Sequence, residues 1–154
     1  MSKVRDLSLK IKGIAVINFY LELKQELLDK QIHIPNYNSF TFEIRVSNNG
    51  LIKEDIFNSM IKMNVFLDKE KEIELGHIQI LNVFEIKNLN KYSDKKKNTL
   101  NLPPAIESTI IGISLSHTRA VFLTKCAGTF LQNAVMPMLN PAQFLNADNK
   151  RNEI

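Results

Sequence analysis

The chain has 154 residues, 44% of them apolar and 23% charged, with a formal net charge of +4 and a pI near 9.2. That length hides roughly two-thirds or more of the unfolded surface in one domain, and the composition excludes an intrinsically disordered protein. A single cysteine, Cys126, excludes an internal disulfide and a Cys-based zinc site; with no apolar signal-peptide core after Met1, it predicts a reducing, cytoplasmic setting.

Period-two alternation marks the first half. Ile17, Phe19, Leu21 and Leu23 alternate with Asn18, Tyr20, Glu22 and Lys24, which predicts a half-buried strand over about 14–23. Leu7 to Ile11 alternates too and leads into it, with Gly13 as a bulge position. Glu26 to Lys30 suits a short helix that Pro35 stops. Phe40, Phe42, Ile44 and Val46 predict a second strand, and Asn48-Asn49-Gly50 supplies turn chemistry after it. Ile61, Met63, Val65 and Leu67 share a face of a third strand over 57–67, and Asp68 to Lys71 is the expected hairpin turn. A fourth strand over about 72–87 puts Ile78, Ile80, Phe84 and Ile86 on one face, interrupted by Asn82. Short polar connections imply an antiparallel sheet with one face packed and one partly wet. Residues 87–102, polar and rich in Asn and Lys, read as a crossover loop.

The period then changes to that of a helix. Pro103 and Pro104 suit its first turn, and Gly128 suits a left-handed cap at its end. Ile106, Ile110, Ile113, His117, Ala120 and Val121 form one stripe, while Ile111, Leu115, Phe122 and Leu123 form a second apolar sector. A helix apolar on two sides is buried on two sides. One side covers the sheet, and the expected cover for the other is a second subunit. Residues 129–141 are too apolar for an ordinary surface connection. They read either as a segment folded under a neighbour or as an adaptable binding surface, since Met side chains re-pack around irregular partners. Pro141 to Leu145 begins a short second helix with Asn140 as its N-cap, and 146–154 is a polar tail.

Charge follows the same division. The 47 residues from Thr99 to Leu145 carry three charges, Glu107, Arg119 and Lys125. A membrane span does not explain them, because Ser108, Ser114, Ser116, His117, Thr118 and Arg119 interrupt the longest helical candidate. The stretch is therefore buried in the chain, buried in an oligomer, or offered as an apolar surface.

No constellation for catalysis emerges, and no cofactor or metal is expected. The chain lacks the glycine-rich phosphate loops, the paired-histidine zinc motif and the serine nucleophile elbow. His33, His77 and His117 have no metal-site spacing; His117 and Cys126 are nine residues apart on one helix and point to opposite sides. Glu70, Glu72 and Glu74 read as a solvated hairpin edge rather than an acidic contact strip. Nucleic acid is not the expected partner. Sixteen of the twenty bases are Lys, whereas Arg forks onto phosphates and guanine edges, and the run Lys95 to Lys97 is a solvated loop.

The C-terminal third resembles the SecB-type export chaperones. The residues that carry the likeness are Ser116 to Phe122, then Gly128-Thr129-Phe130, then Pro137-Met138-Leu139-Asn140-Pro141-Ala142-Gln143-Phe144. The likeness covers about 103–145 and is compatible with the four strands before it. It implies an α+β fold: a four-stranded antiparallel sheet followed by a long helix and a short C-terminal helix. Family members pair sheets edge to edge into dimers, and two dimers pack through their long helices. The resemblance places Ile110, Ser114, His117, Thr118, Val121 and Lys125 in that helix contact. It implies an ATP-independent holdase that keeps unfolded or precursor polypeptides in apolar grooves, with relatives serving antitoxins of toxin–antitoxin systems. The groove residues implied are Phe130, Leu131, Val135, Met136, Met138, Leu139 and Phe144. The basic charge, and His77 where an acidic contact would be expected, count against the SecA motor as a partner.

Overall fold

In the computed structural model, which describes residues 8–25, 29, 40–67, 73–94 and 99–145, the alternating segments become four long strands. These are β1 (Leu9–Leu21), β2 (Thr41–Leu51), β3 (Ile56–Phe66) and β4 (Glu74–Ile86). They form one antiparallel sheet in the order β1-β4-β3-β2, so β1 and β2 are its edges. A 3₁₀ turn at Leu89–Tyr92 and a two-stranded ribbon, β5 (Ser93–Asp94) with β6 (Thr99–Leu100), lead to helix α1 (Pro104–Cys126). The segment read as a plain crossover loop is thus built, and the expected second helix is a single 3₁₀ turn at Pro141–Phe144. The architecture is the α+β one that the sequence predicts.

The central strands follow their alternation. Ile61, Met63 and Val65 of β3 and Ile78, Ile80, Phe84 and Ile86 of β4 share one fully buried face. Side chains two apart in a strand point the same way, so one covering element buries every second residue. That cover is α1, which rests on β3 and β4 with Ile110, Ile111, Ser114, Leu115, Thr118, Phe122 and Cys126 inward.

Asn82 interrupts this face, and the structure gives the interruption a purpose. Asn48, Ser59 and Asn82 are cross-strand neighbours in a polar row between two apolar clusters, one around Ile61, Ile80 and Phe122 and one around Phe57, Phe84 and Ile110. Asn82 Nδ2 donates to the Ser59 carbonyl at 3.3 Å, and its Oδ1 lies 2.7 Å from His117 Nδ1. Asn48 Nδ2 donates to Glu107 at 3.3 Å. Moving the helix by one turn would leave Asn82 Oδ1 without its His117 partner in the core, at a cost of about 1–3 kcal/mol. The row therefore locks the helix to one register on the sheet.

Several local expectations change. Asn48, Asn49 and Gly50 pair with Ser59, Asn58 and Phe57 inside the β2–β3 ladder, and the reversal comes later, through the 3₁₀ turn Ile52–Glu54 and Asp55 at φ 56°. Asp55 tolerates that conformation because its carboxylate accepts from the Leu89 amide at 2.9 Å and the Asn88 amide at 3.3 Å. β1 begins at Leu9 and carries two irregularities, between Ile11 and Gly13 and between Val16 and Asn18. Each resets the alternation, so Ile17 does not continue the set of Phe19 and Leu21. Finally, much of the second side of α1 is covered by the chain itself: Leu131, Ala134 and Met136 join the cluster of Ile111, Leu115, Phe122 and Cys126.

Gly128 takes φ 76°, but with Ala127 extended and the Thr129 amide donating to the Cys126 carbonyl at 3.0 Å it is the glycine of a type II turn after the helix rather than the left-handed cap expected. Asn140 Oδ1 accepts from the Ala142 amide at 3.0 Å, the N-cap bond read from the sequence. The helix read over Glu26–Lys30, the turn at Asp68–Lys71, Lys95–Lys97 and the tail at 146–154 lie outside the described residues.

Candidate functional site

Among the described residues, two apolar surfaces stand out as uncovered. The first is on β1. Its residues Ile11, Ile14 and Val16 pair with Phe84, Asn82 and Ile80, so they face the same side of the sheet as the core. Yet they are 45%, 45% and 42% exposed, because α1 lies over β3 and β4 and stops short of the edge strand. Phe19 continues the strip to the helix end, where Lys125 Nζ stands 5.0 Å from its ring centre. The strip was not singled out in the sequence. Its one signal is the run Ile14-Ala15-Val16-Ile17, apolar at both parities in a segment otherwise alternating.

The second surface is the segment after α1. Thr129 closes its first turn: its hydroxyl donates to the Cys126 carbonyl at 2.7 Å and accepts from the Leu131 amide at 3.1 Å. Leu131 and Met136 then point into the core, whereas Val135 is 49% and Met138 86% exposed. Phe130, Leu139 and Phe144 are half-buried against the same cluster. The segment is folded under in part: Leu131, Ala134 and Met136 are buried, and the residues between them are turned out.

The seven residues of the implied groove therefore divide. Leu131 and Met136 have no surface to offer, Val135 and Met138 are open, and Phe130, Leu139 and Phe144 offer one side each. The six residues of the implied helix contact divide likewise. Ile110, Ser114 and Thr118 are already enclosed within the single chain, His117 and Val121 are half-buried, and Lys125 is exposed. Helical spacing groups residues on a stripe; it does not say which edge of that stripe the sheet takes.

The opposite face of the sheet carries a polar cluster of Tyr20, Glu22, Lys24, Lys62, Asn64, Glu74 and His77 around a shallow hollow of about 350 Å³. His77 stacks on Tyr20 with ring centres 5.4 Å apart, and its Nδ1 lies 3.2 Å from Glu74, which also accepts from Asn64 at 3.1 Å. Glu22 accepts from both the Tyr20 hydroxyl and Lys24, which holds its carboxyl below the usual range. Carboxylates and bases alternate here, so the face has no uniform charge with which to recognise a partner.

Two further titratable groups, Cys126 and His117, are held in their neutral forms. Burial pushes the Cys126 thiol up to about 11, away from the reactive thiolate. Burial also lowers the His117 pKa, keeping its ring neutral against Asn82. Among the described residues, no three His, Cys, Asp or Glu side chains gather to hold a metal ion, and no helix is long and apolar enough to cross a membrane.

No protein-family model and no curated protein matches the chain. Among solved structures, it is similar to the SecB-like chaperone Rv1957 of Mycobacterium tuberculosis, solved in complex with a ChAD peptide from the Rv1956 HigA1 antitoxin. The likeness has a TM-score of 0.56 and 11% identity, and covers 85% of this chain and 89% of that one. A protein of unknown function from Streptococcus agalactiae matches with a TM-score of 0.36 and 9% identity, over 86% of this chain and 99% of that one. The fold of the chain is SecB-like.

Proposed function

We propose that this protein is a SecB-like chaperone that holds unfolded or precursor polypeptides without ATP. One observation carries the reading: Val135 and Met138 stand exposed on a segment whose neighbours Leu131 and Met136 are anchored in the core. An apolar pair that collapses neither onto the chain nor into disorder is a surface built for contact. Phe130, Leu139 and Phe144 extend it. An unfolded client brings apolar side chains to such a surface, and their burial is worth about 25 cal/mol per Å². Several weak contacts along one client reinforce one another through effective concentration. The likeness to a chaperone solved with an antitoxin peptide supports polypeptide as the ligand class.

The β1 strip has a different occupant on this reading. Ile11, Ile14 and Val16, with Lys125 over Phe19 at one end of the strip, meet the same surface of a second copy, and His117 and Val121 join the contact, a self-complementary arrangement that buries both strips at once. A pair of such dimers is the proposed assembly.

The testing experiment adds the purified protein, without nucleotide, to a chemically unfolded client diluted into buffer. Suppression of aggregation near stoichiometric amounts is the expected result. No suppression at several-fold excess, with the protein folded and assembled, overturns the general holdase. A second reading, a dedicated chaperone of an antitoxin, is favoured by the peptide in the Mycobacterium tuberculosis structure. Neighbouring genes encoding a toxin and an antitoxin, and capture of that antitoxin alone, distinguish it from a role in export. The net charge of +4 weighs against SecA as the downstream partner.

A further inference from the structure

Arg119 is one of three charged residues between Thr99 and Leu145, and among the described residues its guanidinium meets no carboxylate. It reaches across instead to the segment that carries Val135 and Met138. Its Nε–H donates to the Met136 carbonyl at 3.2 Å and its Nη2–H to the Pro137 carbonyl at 2.8 Å. Both bonds fall in a stretch that has little else to hold it. Ala134 still bonds back to the Leu131 carbonyl and Gln143 bonds to that of Asn140, but among the described residues no backbone–backbone hydrogen bond involves 135–139. Pro137 has no amide hydrogen to donate. Outside Arg119, the stretch is fixed by the buried Met136 side chain, by Leu139 packed against the core and, farther on, by Pro141 lying over Gly112, where an added Cβ would stand 3.2 Å from the proline ring.

A planar guanidinium suits this task. It presents donors in a rigid fork and can serve two successive carbonyls at once, whereas a lysine ammonium on its flexible stem is a single point of attachment. It is also always charged, so the bonds are of the stronger charge-assisted kind.

We infer that Arg119 is a positioning residue for polypeptide capture: by holding the Met136 and Pro137 carbonyls it keeps Val135 and Met138 turned outward in a preformed surface. This rests on the chaperone reading above. Without the two bonds, 135–139 must be ordered each time a client arrives, and that ordering is subtracted from affinity. Arg119 itself touches no client; it acts through Met138.

The test uses the full chain and, as probe, a reduced and alkylated globular protein that cannot refold. Affinities are measured for the wild type, Arg119→Ala, Arg119→Lys, Met138→Asp and the Arg119→Ala/Met138→Asp double variant, with backbone NMR order parameters of 135–139 followed in each. Arg119→Ala is expected to weaken capture about tenfold and to lower the backbone order parameters of Val135, Met136, Met138 and Leu139, with the oligomer unchanged. Arg119→Lys is expected to restore part of both, and it carries the test if the alanine variant does not fold. The double variant should bind about as weakly as Met138→Asp alone, since a residue that acts through Met138 has nothing left to position. Wild-type affinity in Arg119→Ala overturns the inference, and so do fully additive losses, which would mean that Arg119 contacts the client directly. If the wild type captures no polypeptide, the chaperone reading fails; unaltered order parameters in Arg119→Ala are the separate failure of the positioning role.

Discussion

Val16 and Ile80 are partners across one strand pair and face the same side of the same sheet, yet Ile80 is fully buried and Val16 is 42% exposed. The same holds one step along for Phe84 and Ile11. The two strands differ in what lies above them: α1 rests on β3 and β4, while the middle of β1, from Ile11 to Val16, stays uncovered. The difference teaches that alternation specifies a face, while exposure is decided by the element that covers it. A similar contrast recurs after the helix, where Met136 is in the core and Met138, two residues on, is 86% exposed.

Substitutions at matched positions sharpen or break this contrast. The largest effect is expected from Met136→Asp, which places a carboxylate in a site enclosed by Ile111, Leu115, Phe122 and Leu131. It should cost more than about 4 kcal/mol by chemical denaturation, whereas Met138→Asp should stay within about 0.5 kcal/mol and act on client binding instead. Similar losses at both would mean that Met138 is also buried in solution, by a neighbouring chain.

Next comes the cross-strand pair. Phe84→Ala should lose about 3–5 kcal/mol and Ile11→Ala less than about 1 kcal/mol when both are unfolded at high dilution. Raising the protein concentration should enlarge only the Ile11→Ala loss, because an assembled β1 strip becomes an interior. Equal losses at every concentration would remove the distinction between the two strands. Val16→Asp, tested by sedimentation, should shift the oligomer to a smaller species with the fold retained; an unaltered oligomer would remove the strip from the interface.

The smallest effect is electrostatic. His117 is neutral in the fold because burial lowers its pKa from the ordinary value of 6.5. The unfolded chain thus binds the extra proton first, so His117 contributes stability that is complete above about pH 6.5 and declines as pH falls toward the lowered folded value. His117→Gln, which keeps a donor for Asn82 but cannot titrate, should flatten that part of the stability–pH curve. A curve identical to the wild type would show that other groups produce the slope.

Much of the fold is legible in the sequence because it rests on local periodicity. The inward faces of β3 and β4, the proline start of α1, the positive φ of Gly128 and Asn140 as a cap all follow from short-range rules about pleats, missing amides and permitted φ. Asn48-Asn49-Gly50 misled because turn residues only permit a turn. The β2–β3 ladder continues past them, and Asp55, held by two distant amides, takes the strained position. The candidate site was legible in part. The charge-poor segment and its two methionines mark where to look, but Leu131 and Met136 were grouped with residues that the fold turns outward.

What the sequence by itself determined is therefore the list of elements and the apolar face of each, since these depend on neighbours within a few residues. Only the tertiary structure decided which apolar faces are covered. The helix is one cylinder about 10 Å across, and strands stand nearly 5 Å apart, so it shields about two of the four. Asn82 and His117 fix which two, and the C-terminal segment fills much of the helix's other side with Leu131, Ala134 and Met136. The surplus, Ile11, Ile14 and Val16 on one side and Val135 and Met138 on the other, is the apolar surface that the fold leaves exposed.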